Sequence, residues 1–281
     1  MSTFTEPFSA SSGDPFWVGL VDDAATFPPG DAPLDAALTA YADRAGPAAR
    51  LVRSLVVRDT DLPQVPAGTP VSVVLTGGAG QVHGPAQLCQ RRDLPLAGLE
   101  IALRDVDDPA GNARRVVAAV DAARGEGVLD EDTPVFVELP AVDPAYSWLA
   151  AADEVAAAEL RLKLRTGGLD PDAFPTPERL AAWIDAALDR ELPFKCTAGL
   201  HRALPHVDAD GCAHHGFLTL LAATRVAFDG GSPDDVVSTL RRDDPTDLLT
   251  LDLAGARRWF TSFGSCSIDE PLADLRELVS L

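Results

Sequence analysis

Two lysines are the residues of this sequence whose type and spacing point most directly to chemistry. Lys163 and Lys195 are the only lysines among 281 residues, beside 21 arginines. An arginine keeps its proton in a protein, whereas a lysine can lose it and act as an amine nucleophile. A neutral lysine needs a depressed pKa, which a second cation in a poorly solvated pocket can provide. The pair therefore suggests Schiff-base chemistry, in which one lysine attacks a carbonyl carbon while the other keeps it neutral.

Both lysines fall on segments that are predicted to be short strands. In "ELRLKLRTGG", residues 159–168, leucines alternate with basic residues that include Lys163 and Arg165. A period of two is typical of a strand with one apolar and one cationic face. In "PFKCTAGLH", Lys195 and Thr197 share one parity of the next predicted strand. The two amines are therefore expected on neighbouring strands of one sheet.

The elements that must position these residues alternate between short apolar runs and longer helical patterns, which favours a parallel α/β fold. Eight runs are predicted to be strands, at 17–22, 50–59, 71–78, 98–105, 134–140, 160–168, 193–201 and 258–268. Helical patterns lie between them, except after the second run, where "TDLPQVPAGTP" has three prolines and is too broken for a helix. The count predicts a single (β/α)₈ barrel domain over residues 1–281, of the TIM type, with an irregular link after strand two. An open, doubly wound sheet is the alternative.

In such a barrel the apolar parity of each strand packs on the helices, and the other parity faces the lumen. Five charged residues share the predicted lumen orientation: Glu100, Glu138, Lys163, Arg165 and Lys195. They are expected to form one charged, partly desolvated pocket at the carboxyl ends of the strands, where a glutamate could move protons. The alternative is that these charges lie on a solvated face of an edge strand or at the end of a helix.

Four short motifs resemble the deoxyribose-phosphate aldolases. "KLRTGG" and "KCTAGLH" look like the two lysine motifs of that family, "SFGSCSIDEPLADL" (262–275) resembles its eighth-strand phosphate segment, and "LVDDAATFPP" (20–29) resembles its first strand. The resemblance implies a class I aldolase on a (β/α)₈ barrel, with Lys163 as the Schiff-base lysine and Lys195 as the lysine that perturbs it. It also implies that four residues lie near a phosphate or another anion: Gly199, Gly264, Ser265 and Ser267. The sequence departs from the family in having Cys266 in the phosphate segment and in having Glu100 as a rough stand-in for an aspartate.

Four of the five histidines lie in one segment, "HRALPHVDADGCAHHG" (201–216), together with Asp208 and Cys212. The segment could be a metal site or a loop that transfers protons, but its spacing matches no standard zinc pattern. We favour a long substrate loop without a metal, and no cofactor is expected. His201 follows the Lys195 strand directly, and it is the candidate general acid or base of this loop. We expect the loop to cover the pocket, with at most His201 in contact with the substrate.

Three further residues are candidates for binding an anionic substrate: Arg58, Arg165 and Thr197. Arg58 stands at the predicted end of strand two, where it is either an anion clamp or an ordinary surface arginine. The net charge of −20 argues against nucleic acid or an anionic membrane as partner. The start of the sequence lacks the pattern of a signal peptide, and no apolar run has membrane-spanning length. Four scattered cysteines are read as free thiols of a cytoplasmic protein, which could form a homo-oligomer.

Four hypotheses for function follow from these residues. The first is an aldolase-like lyase that forms a lysine Schiff base with a small carbonyl substrate, which could be phosphorylated. The second is an isomerase or lyase that uses the Lys/Arg cluster to bind an anion without covalent chemistry. The third is a metal-dependent hydrolase built on the histidine segment. The fourth is a protein without enzymatic activity, whose charged strands form structural ion pairs or a partner surface.

Overall fold

A computed structural model describes residues 15–209 and 211–279. Its strands are β1 (Val21–Asp23), β2 (Val52–Arg58), β3 (Val71–Val74), β4 (Leu96–Ala102), β5 (Val135–Glu138), β6 (Arg161–Arg165), β7 (Phe194–Thr197), β8 (His206–Val207), β9 (Ala213–His214) and β10 (Phe260–Ser265). Eight of them close into a parallel barrel in the order β1-β10-β7-β6-β5-β4-β3-β2. The predicted (β/α)₈ barrel is confirmed, and the open, doubly wound sheet is wrong. The remaining pair, β8 and β9, forms a small antiparallel ribbon.

The helices that surround the barrel follow the predicted alternation. They are α1 (Leu34–Ala42), α2 (Gly46–Leu51), α3 (His83–Arg91), α4 (Pro109–Gly125), α5 (Tyr146–Ala157), α6 (Pro177–Leu188), α7 (Phe217–Phe228), α8 (Pro233–Leu240), α9 (Pro245–Leu248) and α10 (Asp269–Val279). Helix α6 begins as its sequence predicts, because the Thr176 hydroxyl accepts a hydrogen bond from the Arg179 amide and Pro177 stands at the first helical position. Between β2 and β3 there is only a 3₁₀ helix, Asp59–Gln64, which contains Pro63. The irregular link is therefore confirmed.

The alternation along β6 decides which side chains enter the barrel. Leu162 and Leu164 are 0% and 3% exposed and pack in the hydrophobic core, whereas Lys163, between them, points into the lumen among other charged groups. Burying one leucine stabilises the fold by about 1.5–3 kcal/mol. A slip of one residue would turn both leucines into the lumen and the lysine outward, so the apolar residues fix the register. The prediction of an edge strand or a helix end at this position is wrong, because β6 pairs with β5 and β7.

The ends of the predicted strands differ from the structure, and two of these differences bear on the site. The first strand was expected at 17–22, but a 3₁₀ helix occupies Pro15–Trp17 and the strand is Val21–Asp23. The strand therefore carries two buried aspartates, Asp22 and Asp23. Strand β4 ends at Ala102, so Arg104 lies beyond the strand, where it is exposed. Among the described residues, no helix is both long enough and apolar enough to cross a bilayer.

Candidate active site

The two lysines are direct neighbours in the barrel lumen. Lys163 on β6 and Lys195 on β7 are register partners, and both are buried. Glu100 on β4 joins them, because its Oε2 lies 2.8 Å from the Lys163 Nζ and its Oε1 lies 2.5 Å from the Lys195 Nζ. A carboxylate that is buried with two amines satisfies charges that could not otherwise stay in a poorly solvated interior.

Each lysine has a second carboxylate of its own. Glu138 Oε2 lies 3.0 Å from the Lys163 Nζ, and Glu138 Oε1 accepts a hydrogen bond of 2.6 Å from the Arg165 Nε. Asp22 Oδ2 lies 2.6 Å from the Lys195 Nζ. The structure thus brings together all five of the charged residues that were predicted to face the lumen, and it adds a sixth.

Asp22 is the site residue that sequence reasoning missed. Its carboxylate is fully buried and accepts hydrogen bonds of 2.8 Å from Ser54 and from Ser262, besides the contact with Lys195. The signal in the sequence was an acidic residue directly after the apolar run "VGLV". The first strand was placed too early to make use of that signal.

The carboxylates dominate the electrostatics of the pocket. Burial alone would raise the pKa of Glu100, but Lys163 and Lys195 lower that pKa to about 2. Burial likewise opposes ionisation of Glu138, yet Lys163 and Arg165 hold its pKa below the ordinary value. Burial alone would lower the pKa of Lys163, but Glu100 and Glu138 raise it above its usual range. The expectation that Lys195 depresses the pKa of Lys163 is therefore wrong for this state of the site, because the ionised glutamates beside Lys163 outweigh any neighbouring cation.

A cavity of about 380 Å³ opens above these groups at the carboxyl ends of the strands. Its floor contains Glu100, Glu138, Lys163 and Lys195, and its walls are largely apolar. The apolar wall residues include Ala24, Phe27, Val56, Leu75, Ala102 and Leu169. Charged groups below an apolar, concave wall are the usual arrangement of a small-molecule site.

Some of the predicted anion contacts line this cavity and others do not. Thr197, Gly199 and Gly264 are in the wall. Ser265 and Ser267 do not line the cavity. The Ser265 hydroxyl donates a hydrogen bond of 2.6 Å to the Ser267 carbonyl. These two serines shape the turn after β10 and do not line the cavity, so their contact with an anion stays a prediction.

Arg58 is also outside the cavity wall. Its guanidinium carbon lies 4.4 Å from the centre of the Phe27 ring, and its Nη1 donates a hydrogen bond to the Thr26 carbonyl. Arg58 therefore supports Phe27, which lines the cavity, from behind. The role of an anion clamp does not fit this position.

The backbone after β7 takes an unusual conformation at the mouth. Ala198 and Gly199 have φ values of 64° and 75°. A Cβ atom at Gly199 would come within 2.8 Å of the Thr166 carbonyl oxygen, so only glycine fits there. The Thr166 hydroxyl holds this turn by donating to the Ala198 carbonyl at 2.6 Å. The turn brings the loop that follows β7 over the barrel.

Of the histidines, His201 lines the cavity above the lysines. Its Nδ1 lies 3.2 Å from a Glu270 carboxylate oxygen and 3.4 Å from the Ser265 hydroxyl, and the Cys266 sulfur is 3.9 Å away. Burial lowers the pKa of His201, against the opposing effect of Glu270. A neutral imidazole at the mouth of the cavity can accept or donate a proton.

The other histidines of segment 201–216 are held by contacts of their own. His214 lies 3.0 Å from both the Gly199 carbonyl and an Asp208 oxygen, and its ring stacks on His206 at 4.8 Å. His215 bonds to the Pro175 carbonyl. In the parts of the chain that the structure describes, no group of three or more His, Cys, Asp or Glu side chains could hold a metal ion. The four cysteines are free thiols, as predicted.

Comparisons with known proteins agree with this architecture. No family model and no curated protein matches the chain. Among solved structures, the chain is similar to the deoxyribose phosphate aldolase from Aeropyrum pernix, with a TM-score of 0.55 and 15% sequence identity over 95% of this chain and 94% of that one. That protein is a tetramer. The likeness places the chain among (β/α)₈ barrels with the overall fold of this aldolase.

Proposed function

We propose that the protein is a class I aldolase-like lyase, in which Lys163 forms a Schiff base with a small carbonyl substrate. The observation that carries the proposal is the position of Lys163. Its amine is buried at the floor of a largely apolar cavity, 2.8 Å from Glu100 and 3.0 Å from Glu138. The other carboxylate oxygen of Glu100 binds the Lys195 amine. The similarity of fold to an aldolase agrees with this proposal.

The chemistry begins with the removal of one proton from the Lys163 ammonium, which Glu138 accepts. The free amine adds to the carbonyl carbon, and the oxygen of the resulting carbinolamine leaves as water after it has been protonated. The iminium ion then draws electrons from a carbon–carbon bond beside it. That bond, between the α- and β-carbons, breaks as the β-hydroxyl of the substrate gives up its proton to Glu138, which releases an aldehyde and leaves an enamine on Lys163. Protonation of the enamine and hydrolysis return the lysine and release the second carbonyl product.

Lys163 is better placed than Lys195 to be the nucleophile. The Lys195 amine lies between Asp22 at 2.6 Å and Glu100 at 2.5 Å and is 1% exposed. The contacts of Lys163 are longer, and one of its carboxylates, Glu138, is shared with Arg165. Because Glu138 also binds Arg165, it stabilises the ammonium form of Lys163 less than an unshared carboxylate would. Lys195, Glu100 and Asp22 then form a connected set of hydrogen bonds that keeps the local charge balanced.

Two arginines are placed to bind an anionic group of the substrate. Ala102, Glu138 and Lys163 are register partners, so Arg104 and Arg165 both stand two residues beyond that level, on either side of β5. Both line the cavity. Arg104 has no acidic partner in the described part of the chain, and the contact of Arg165 with Glu138 uses its Nε. The forked geometry of arginine suits a carboxylate or a phosphate.

Borohydride trapping tests the covalent step. Incubation with acetaldehyde or dihydroxyacetone followed by borohydride should add the mass of the reduced adduct at Lys163. Lys163→Arg keeps the charge and should abolish trapping, whereas Lys195→Arg should retain the Lys163 adduct at a reduced rate. Trapping that is unchanged in Lys163→Arg, in a variant with the wild-type circular dichroism spectrum, would overturn the proposal.

The raised pKa of Lys163 favours a second candidate function, that of a lyase or isomerase that forms no covalent intermediate. In that case the ammonium groups bind and polarise an anionic substrate, and Glu138 or His201 moves protons. Activity without any borohydride inactivation, retained in Lys163→Arg, would select this alternative. A homo-oligomer stays a prediction, for which the tetramer of the similar aldolase is the supporting observation.

A further inference from the structure

Three arginines lie at the amino-terminal end of the barrel, opposite the candidate active site. Arg53 is near the start of β2, Arg161 is the first residue of β6, and Arg257 lies in the 3₁₀ helix that precedes β10. All three are partly buried. Within residues 15–209 and 211–279, none of them forms an ion pair with an acidic side chain. By contrast, partly buried Arg44 is paired with Asp23 at 2.7 Å.

The ring of Phe136 is a shared contact of two of these arginines and of Lys195. The guanidinium carbons of Arg53 and Arg161 lie 5.8 Å and 5.7 Å from its centre. The Lys195 Nζ lies 5.4 Å from the same ring. Arg161 has the same parity as Lys163 but stands two residues earlier on β6, so it lies one layer further from the mouth. Gly98 leaves room for the ring, since a Cβ there would come within 3.2 Å of it.

The hydrogen bonds of these arginines go to main-chain oxygens. Arg53 donates to the Ala97 carbonyl, and Arg257 donates to the carbonyls of Thr261, at 2.6 Å, and Val18, at 3.3 Å. Burial and then the charge of Arg53 lower the pKa of Arg161. The same two causes lower the pKa of Arg257 to about 10, although Asp22 opposes them. Like charges that are held close together and partly out of water raise the free energy of the folded state unless an anion joins them.

We infer that Arg53, Arg161 and Arg257 form an oxyanion-binding site on the amino-terminal face of the barrel, which takes a phosphate group, either inorganic or carried by a small organic molecule. Guanidinium groups bind phosphate through paired N–H donors, and three of them match the charge of a phosphate dianion with one positive charge in excess. The site is separate from the candidate active site, because none of the three arginines lines the cavity and Arg161 stands two residues before Lys163 on β6. Occupancy is therefore expected to stabilise the fold rather than to take part in the reaction.

The test is thermal unfolding in phosphate against chloride at constant ionic strength and pH. The wild-type melting temperature should rise with phosphate, by about 2 °C for each tenfold increase above the dissociation constant. Arg161→Met should abolish the part of this rise that Arg165→Met retains. In chloride the same variant should melt at or above the wild-type temperature, because the substitution removes a repulsion. Inorganic phosphate and glycerol phosphate should be titrated in parallel. The compound that raises the melting temperature at the lower concentration identifies the source of the phosphate group.

Arg165→Met is the matched control, because Arg165 lies on the same strand and the same parity but at the mouth of the cavity. It should keep the phosphate-dependent rise. Loss of the rise in Arg165→Met with retention in Arg161→Met would overturn the inference, since the anion would then bind at the mouth. An equal drop of the melting temperature in both salts for Arg161→Met would also overturn it, as would the absence of any wild-type response. If Arg161→Met does not fold, Arg161→Lys serves instead, with an expected increase of at least tenfold in the phosphate midpoint.

Discussion

Lys163 and Lys195 are register partners on adjacent strands, and Glu100 binds one of their amines with each of its carboxylate oxygens. The two lysines therefore act electrostatically through a carboxylate and not as a bare pair of cations. This arrangement keeps Lys163 protonated in the resting site. A substrate that enters the cavity must shift this balance before the amine can react.

Replacing Glu100 by glutamine should change the reactivity of Lys163. The amide keeps the shape of the side chain but removes the negative charge that raises the pKa of Lys163. We expect the midpoint of the pH dependence of borohydride trapping to move to lower pH by one unit or more. We also expect a loss of stability of about 3–5 kcal/mol, because the variant leaves buried charge uncompensated. Asp22→Asn is the control, since Asp22 contacts Lys195 but not Lys163; an identical shift in both variants would contradict the assignment.

Acid should destabilise the protein through Glu100. The pKa of its carboxyl group is about 2 in the folded state, below the ordinary value of 4.5. A lowered folded-state pKa contributes stability that is fully present above pH 4.5 and is lost as the pH falls from there towards 2. The difference corresponds to about 3 kcal/mol. Urea unfolding at pH 6, 4 and 3 should show about 2 kcal/mol of this loss in the wild type by pH 3 and a much smaller loss in Glu100→Gln.

Arg104 should set the preference for anionic substrates. Arg104→Met removes a cation from the cavity wall without removing a described ion pair, and charge-assisted hydrogen bonds contribute about 1.5–3 kcal/mol. We therefore expect KM for a phosphorylated or carboxylated aldehyde to rise roughly 10- to 100-fold. KM for acetaldehyde should change little. Arg58→Met is the matched control, because Arg58 stands behind Phe27; a larger effect there would show that the anion binds elsewhere.

His201 should carry a proton-transfer step at the mouth of the cavity. Its pKa lies below the ordinary 6.5, so the imidazole is neutral at pH 6.5 and becomes protonated only at lower pH. A reaction that uses it as a base should keep its rate down to pH 6.5 and lose it below. His201→Asn should lower kcat by about 10²–10⁴-fold and remove the loss of rate below pH 6.5. His215→Asn, at a histidine bonded to the Pro175 carbonyl, should leave both features unchanged.

Local patterns in the sequence were sufficient for the barrel and for much of the site. The alternation of leucine and basic residues in "ELRLKLR" determines which face of β6 enters the lumen, because side chains of a strand point to opposite sides in turn. The same rule places Glu100, Glu138 and Lys195 in that lumen. The scarcity of lysine then singles out the two amines. Each of these inferences needs only a few neighbouring residues.

The tertiary structure decided which charged residues pair with one another and in which direction their pKa values shift. Asp22 and Lys195 are 173 residues apart in the chain, and only closure of the barrel between β1 and β10 brings them within 2.6 Å. The pairing of β5 with β4 and with β6 sets two glutamates against Lys163, which reverses the expected direction of its pKa shift. The packing of remote strands also places Arg53 of β2 and Arg161 of β6 beside the ring of Phe136 on β5. A pKa or an ion pair depends on distances of a few ångströms between remote residues, and such distances are fixed by packing rather than by any local pattern.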